Sequence, residues 1–119
     1  MAKKICVIKT SLRLNSNSDQ LADAFIQSAK ESGNDVIEIS LKDKKIAFCK
    51  GCLSCQKLGH YVIDDDANII TEKIKQADVV VWVTPIYYYE MSGQMKVMID
   101  RANSLYTSNY QFRDVYLLS

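Results

Sequence analysis

Apolar residues fall along this chain in short blocks of two kinds, and the two kinds alternate. Lys3-Lys4-Ile5-Cys6-Val7-Ile8-Lys9-Thr10 is a continuous apolar run bracketed by charge, and Asp78-Val79-Val80-Val81-Trp82-Val83-Thr84 is the most apolar stretch of all. Runs of this length without polar alternation predict strands buried on both faces, as in a parallel sheet. Asp35-Val36-Ile37-Glu38-Ile39-Ser40-Leu41 instead alternates, which predicts a strand with one wetter face near a sheet edge. A further strand is predicted over Asp114-Val115-Tyr116-Leu117-Leu118-Ser119.

Between these runs the spacing turns helical. Leu21, Ala22, Phe25 and Ala29 share one face, with Asn17 or Ser18 placed to cap the helix and Gly33 to stop it. Ala67, Ile70, Ile74 and Ala77 mark a second helix, and Met91, Met95, Met98, Ala102 and Leu105 a third. Pro85 biases Thr84 to extended geometry and ends its strand. The order strand, helix, strand, long irregular stretch (Lys42 to Asp66), helix, strand, helix, strand predicts an α/β fold. A parallel sheet with helices on both faces, in a single domain over residues 1–119, is the expectation.

Composition narrows the partners. A formal net charge of +1 with scattered Lys and Arg gives no footprint for nucleic acid. The apolar run from Val79 to Val83 is too short to span a bilayer, and no secretory leader is expected ahead of the first strand. Four cysteines in such a chain are expected as reduced thiols or metal ligands in the cytoplasm rather than as a disulfide framework.

In an open α/β sheet, ligands bind beyond the carboxyl ends of the strands. The segment after the first strand holds Ser11, Arg13, Ser16, Asn17 and Ser18, with no carboxylate between Ser11 and Ser18. Hydroxyls, a guanidinium and a helix start form the inventory of a phosphate cradle, although a helix cap beside a solvated arginine is the plainer reading of this loop taken alone. It lacks the glycines of a P-loop or dinucleotide fingerprint. After the third long strand comes Thr84-Pro85-Ile86-Tyr87-Tyr88-Tyr89-Glu90-Met91-Ser92-Gly93. Three consecutive tyrosines cannot all enter one core, so at least one ring faces solvent, a flat ligand or another subunit. The methionine stripe that follows reads as core packing.

Taken in order, these residues resemble the NADPH-dependent FMN reductase group of the flavodoxin-like superfamily. Ser11-x-Arg13-x-x-Ser16-Asn17-Ser18 is similar to its phosphate loop. Cys49-Lys-Gly-Cys52-Leu-Ser-Cys55, Asp64-Asp65-Asp66, Ala77-Asp78, Thr84-Pro85-Ile86-Tyr87, Met91 to Lys96 and Ile99-Asp100-Arg101 resemble its cysteine-bearing branch, the iron–sulfur flavoproteins. The resemblance implies a three-layer flavodoxin-like sheet of order 2-1-3-4. It implies FMN with its phosphate held by Ser11, Arg13, Ser16, Asn17 and Ser18, and its ring bordered by Pro85, Ile86, Tyr87 and Tyr88. Hydride transfer from NAD(P)H to flavin and on to an acceptor is the implied reaction, in a homodimer or higher oligomer, with no side chain needed as acid or nucleophile.

The cysteines stand apart. Cys49, Cys52 and Cys55 have the compact spacing of an iron–sulfur loop, but no cysteine lies between Gln56 and Asp66, and His60 stands near the expected fourth position. A Cys3His zinc site is chemically permissible. Retained thiols without metal are the reading preferred here, and Cys6 is read as strand packing. Flavodoxin-like domains have five strands, and this chain stops in the fourth, so the last helix–strand–helix portion and the loop after the fourth strand are expected to be absent from it. A shortened gene product, a cleaved or partial chain, or an oligomer whose neighbour covers the open edge would each account for that. Besides the reductase, a flavin-binding electron carrier without NAD(P)H activity and a non-enzymatic remnant stay open as functions.

Overall fold

A computed structural model describes residues 2–13, 16–49, 65–105 and 111–119. Strand β1 (Lys4–Lys9) leads to helix α1 (Asn17–Glu31), strand β2 (Asp35–Ser40) and a short 3-10 turn (Leu41–Asp43). Helix α2 (Asp66–Gln76), strand β3 (Val79–Val83), a hairpin of β4 (Ile86–Tyr87) and β5 (Glu90–Met91), and helix α3 (Gly93–Arg101) follow. A 3-10 turn (Ala102–Leu105) and strand β6 (Asp114–Leu118) complete the order.

The main sheet is parallel throughout, in the order β2-β1-β3-β6. This is the flavodoxin-like 2-1-3-4 arrangement that the family resemblance implied, with β2 at an edge as its alternation implied. Alternate residues of the central strands feed two cores, because successive strand side chains point to opposite faces. Ile5, Val7, Val79, Val81 and Val83 pack against Ala22 and Ile26 of α1. Cys6, Ile8, Ile39 and Val80 pack against Ala67, Ile70 and Ile74 of α2 and Met98 of α3.

Local chemistry explains where the helices begin and end. Ser16 is the N-cap of α1, its Oγ accepting the Asp19 N–H at 3.2 Å. The cap is therefore Ser16 and neither Asn17 nor Ser18, both of which lie inside the first turn. At the far end Gly33 adopts φ +88°; its N–H donates to the Lys30 carbonyl at 3.0 Å and the Asn34 N–H to that of Ala29 at 3.1 Å. This paired closure needs the left-handed residue that glycine supplies.

Two expected stripe residues fall elsewhere. Leu21 is 43% exposed, because the buried face of α1 runs through Ala22 and Ile26. Met91 belongs to β5, since Ser92 caps α3 by accepting the Met95 N–H at 3.3 Å and the helix starts after it.

Candidate functional site

The carboxyl ends of β1 and β3 are stitched together by buried hydroxyls. Thr10 Oγ1 donates to the Val83 carbonyl at 2.7 Å and lies 3.2 Å from Ser92 Oγ. With the Thr10 proton committed to Val83, Ser92 is the donor between them. Thr84 Oγ1 donates to the Pro85 carbonyl at 2.8 Å and accepts the Ser92 N–H at 2.9 Å. The Thr84 N–H in turn reaches the Leu118 carbonyl at 3.0 Å, which ties β6 to the same floor.

Above this floor lies a cavity of about 340 Å³, lined by Ser11, Arg13, Ser16, Asn17, Ser18, Pro85, Ile86, Tyr87 and Ser119. Its size falls in the usual range of roughly 300–1,000 Å³ for small-molecule sites. The structure thus gathers every residue of the expected cradle and every expected ring neighbour except Tyr88. Ser119, which follows β6 beside β3, joins them.

Atom accounting separates the cradle from the floor. Ser11, Ser16 and Ser18 are each nearly fully buried, at 1%, 3% and 4% exposure. Ser11 Oγ accepts the Arg13 N–H at 3.2 Å, Ser16 Oγ accepts that of Asp19, and Ser16 and Ser18 share one hydroxyl contact at 3.2 Å. Among the described residues this leaves the Ser11 proton and one proton of the Ser16–Ser18 pair undonated. The start of α1 adds unbonded N–H groups and a partial positive charge. Among the described residues Arg13 is the one charged side chain in the lining. The donors fit an anion, and no described side chain in the lining is a carboxylate.

Asp19 lies one residue past the cradle but outside the lining. Its Oδ2 is paired with the Lys42 ammonium at 2.9 Å, and its Oδ1 has no partner among the described residues. Nearby, Lys9 reaches Glu38 at 2.8 Å and Asp23 at 3.3 Å. Burial alone would lower the Lys9 ammonium, but bonds to Glu38 and Asp23 outweigh it and hold its pKa above the ordinary value.

At the other end, β4 and β5 pair antiparallel through a two-residue turn at Tyr88 and Tyr89. Both tyrosines take left-handed backbone, φ 49° and 65°, in the manner of a type I′ hairpin turn, where Asn-Gly is the usual choice. Their rings meet edge to face at 5.7 Å and stand 94% and 95% exposed. Tyr88 therefore sits at the hairpin tip, away from the cavity, while Tyr87 is half-exposed along its wall.

Sequence reasoning missed a buried ion pair below the site. Arg101, 0% exposed at the end of α3, donates to both oxygens of Asp65 at 2.7 Å and to the Ala47 carbonyl at 2.9 Å. Asp65 also caps α2 through the Ala67 N–H at 3.1 Å and accepts the Ala47 N–H at 2.9 Å. Burial pushes the Asp65 carboxyl up, but the guanidinium and the two N–H groups outweigh that and hold it below the usual range. An arginine in the apolar stripe of a helix, with an acidic triplet upstream, was the available signal.

Of the cysteine set, Cys49 is half-buried, while Cys52, Cys55 and His60 lie outside the described residues. Cys6, the remaining cysteine, is fully buried in β1, and burial raises its thiol to about 11 despite the opposing pull of Lys73. It packs in the core beside Ile8 and Val80, the strand-packing role expected of it.

The sequence pattern of the family described as NADPH-dependent FMN reductase matches residues 3–118. The chain belongs to that family. Among relatives of this FMN reductase family member, an iron–sulfur flavoprotein of Methanosarcina thermophila is 31% identical over 111 residues, covering 93% of this chain and 58% of the relative. One from Archaeoglobus fulgidus is 33% identical over 91 residues, covering 76% of this chain and 41% of the relative. An NAD(P)H:quinone oxidoreductase from Methanothermobacter marburgensis superposes with a TM-score of 0.70 at 15% identity, over 86% of this chain and 53% of that one. The likeness is one of fold. The chain spans about half the length of the curated relatives it matches. Among the described residues, no helix is long and apolar enough to cross a membrane.

Proposed function

We propose that the cavity holds FMN and that the protein is an FMN-dependent oxidoreductase using NAD(P)H as electron donor. The observation that supports this best is that one cavity joins an anion cradle with undonated hydroxyl protons to the Pro85–Tyr87 strip. A phosphate dianion at the start of α1 would accept from Ser11, Ser16 or Ser18, from Asn17 and from the Arg13 fork. When bound, FMN supplies the redox chemistry, receiving the electron pair of NAD(P)H and passing it to an acceptor.

The chain's own residues bind, orient and exclude water. Pro85 stiffens the turn that carries the ring border, and Ile86 and Tyr87 present apolar surface along it. The hydroxyl floor of Thr10, Thr84 and Ser92 holds this border in register with the cradle. Among the described lining residues no side chain is a carboxylate, imidazole or thiol, and the scheme assigns no proton transfer to a side chain. A homo-oligomer in the cytoplasm is the setting we propose, with the exposed Tyr88–Tyr89 pair available for contact.

Titration of the protein with FMN, followed by visible absorbance, tests the reading. FMN should bind, and Arg13→Ala should weaken it by about ten- to a hundredfold while leaving riboflavin unchanged, since only the phosphate meets the guanidinium. Equal affinities for FMN and riboflavin in the parent protein would refute the cradle. Bleaching of the bound flavin by NAD(P)H supports a reductase; bound flavin that NAD(P)H leaves coloured indicates an electron carrier.

A further inference from the structure

A second cavity, of about 440 Å³, opens at the same end of the sheet. Leu12 forms one wall, between Ser11 and Arg13, which line the first cavity. Leu41, Ile46, Phe48 and Val97 supply the rest of its apolar surface, and the first turn of α3 enters through Gly93 and Gln94. Lys42 and Lys44 supply its charge, and no carboxylate is among the described lining residues.

The wall carrying Ile46 and Phe48 is held from behind. The Lys45 N–H donates to Asp66 Oδ2 at 2.6 Å, and the Asp66 N–H returns to the Lys45 carbonyl at 3.1 Å. Ala47 is gripped at its N–H by Asp65 and at its carbonyl by Arg101. Phe48 nevertheless stands 77% exposed, with a ring face available to a ligand. The cavity is thus preorganised by a buried ion pair rather than left to a loop's own preference.

Charge selects the occupant. Lys42 is committed to buried Asp19 at 2.9 Å and adds a neutralised pair. Among the described residues Lys44 is bound only to its neighbour Asp43, whose side chain is 81% exposed, and an exposed pair of that kind is worth about 0–1 kcal/mol. Lys44 can therefore exchange Asp43 for an anion in the cavity at little cost. We propose that this cavity binds a small planar aromatic molecule bearing one anionic group, with its ring against Leu12, Ile46, Phe48 and Val97 and its anion at Lys44. This goes beyond the flavin reading and requires no flavin.

Two probes with the same ring system test it: anilinonaphthalene sulfonate, which is anionic, and N-phenylnaphthylamine, which is neutral. Fluorescence titration of the flavin-free protein should give one site that prefers the sulfonate. Lys44→Glu should weaken the sulfonate about tenfold and leave the neutral probe unchanged. A Cβ at Gly93 meets no atom within 4 Å, so Gly93→Leu adds bulk into open space and should reduce binding of both probes. Thermal melts of both variants should match the parent. Equal affinity for the two probes, or a Lys44→Glu variant that binds the sulfonate as the parent does, overturns the proposal. Loss of sulfonate binding in Arg13→Ala would place the probe in the first cavity and also overturns it. Failure of FMN to bind would sink the flavin reading and leave these titrations unaffected.

Discussion

Replacing Arg101 by leucine should be among the most damaging single changes available to this fold. The guanidinium is wholly buried and makes two 2.7 Å bonds to Asp65 and one of 2.9 Å to the Ala47 carbonyl. Leucine removes all three and leaves a carboxylate only 14% exposed without its counter-charge. Breaking a buried pair from one side typically costs about 3–5 kcal/mol, against a total stability of about 5–15 kcal/mol for a domain. With a urea slope of about 1–3 kcal/mol per molar, the unfolding midpoint should fall by roughly 2 M. Asp65→Asn should lose a similar amount by stranding the guanidinium, and the double variant should lose much less than the two losses added.

The pH dependence follows with a definite sign. Asp65 has a folded-state pKa below its unfolded value near about 3.9, so its stabilisation is complete above that value. It fades as pH falls through the folded pKa. The gap between parent and Arg101→Leu should therefore narrow in acid, below about pH 4. Chemical unfolding of the four proteins at neutral and acid pH measures both effects. A midpoint shift below about 0.5 M at neutral pH, or strict additivity of the single variants, would refute the argument.

Further outcomes follow from single features. Tyr88→Asn combined with Tyr89→Gly should raise stability by about 2 kcal/mol, because both positions hold left-handed backbone that tyrosine disfavours; an unchanged thermal midpoint would mean the turn is not strained. Ser16→Ala should cost about 1 kcal/mol by urea unfolding through loss of the α1 cap, whereas Ser16→Gly should cost only a few tenths; equal losses would contradict a capping role. Cys6, its thiol raised to about 11 by burial, should resist alkylation in the native protein at pH about 8 and react only on unfolding, as peptide mass mapping would reveal. Rapid native labelling of Cys6 would show that β1 is not closed over it.

The sheet was legible because its signal is local. Val79 to Val83 and Ile5 to Ile8 have no polar interruption, and the alternation of β2 announced an edge without any tertiary knowledge. That Ser11, Arg13, Ser16, Asn17 and Ser18 would share one cavity was legible for a similar reason, since they cluster within a few residues. Legibility failed where a residue's role is set by a distant partner. Arg101 and Asp65 lie far apart in sequence, and neither spacing nor composition says that they meet. Leu21 sits at correct helical spacing yet faces outward, because α1 is rotated to seat Ala22 and Ile26 on the sheet. Met91 fits the methionine stripe equally well, but the hydroxyl of Ser92, bonded to both Thr10 and the Met95 N–H, decides where α3 begins. The turn at Tyr88–Tyr89 was hidden for the opposite reason: its residues are those a type I′ turn avoids.

Hydroxyl groups at the ends of β1 and β3 serve two ends, and proton accounting tells them apart. Thr10, Thr84 and Ser92 each have their proton assigned to a protein acceptor, so they cement the floor and have nothing left to offer a ligand. Ser11 and the Ser16–Ser18 pair are equally buried but not fully committed among the described residues. A buried hydroxyl that keeps its proton undonated forgoes about 1 kcal/mol of hydrogen bonding. That cost is sensible only where an acceptor arrives from outside. Clustering such hydroxyls beside Arg13 and the start of α1, rather than scattering them along the strand ends, is what supports the proposal that an anion is held at this corner of the fold.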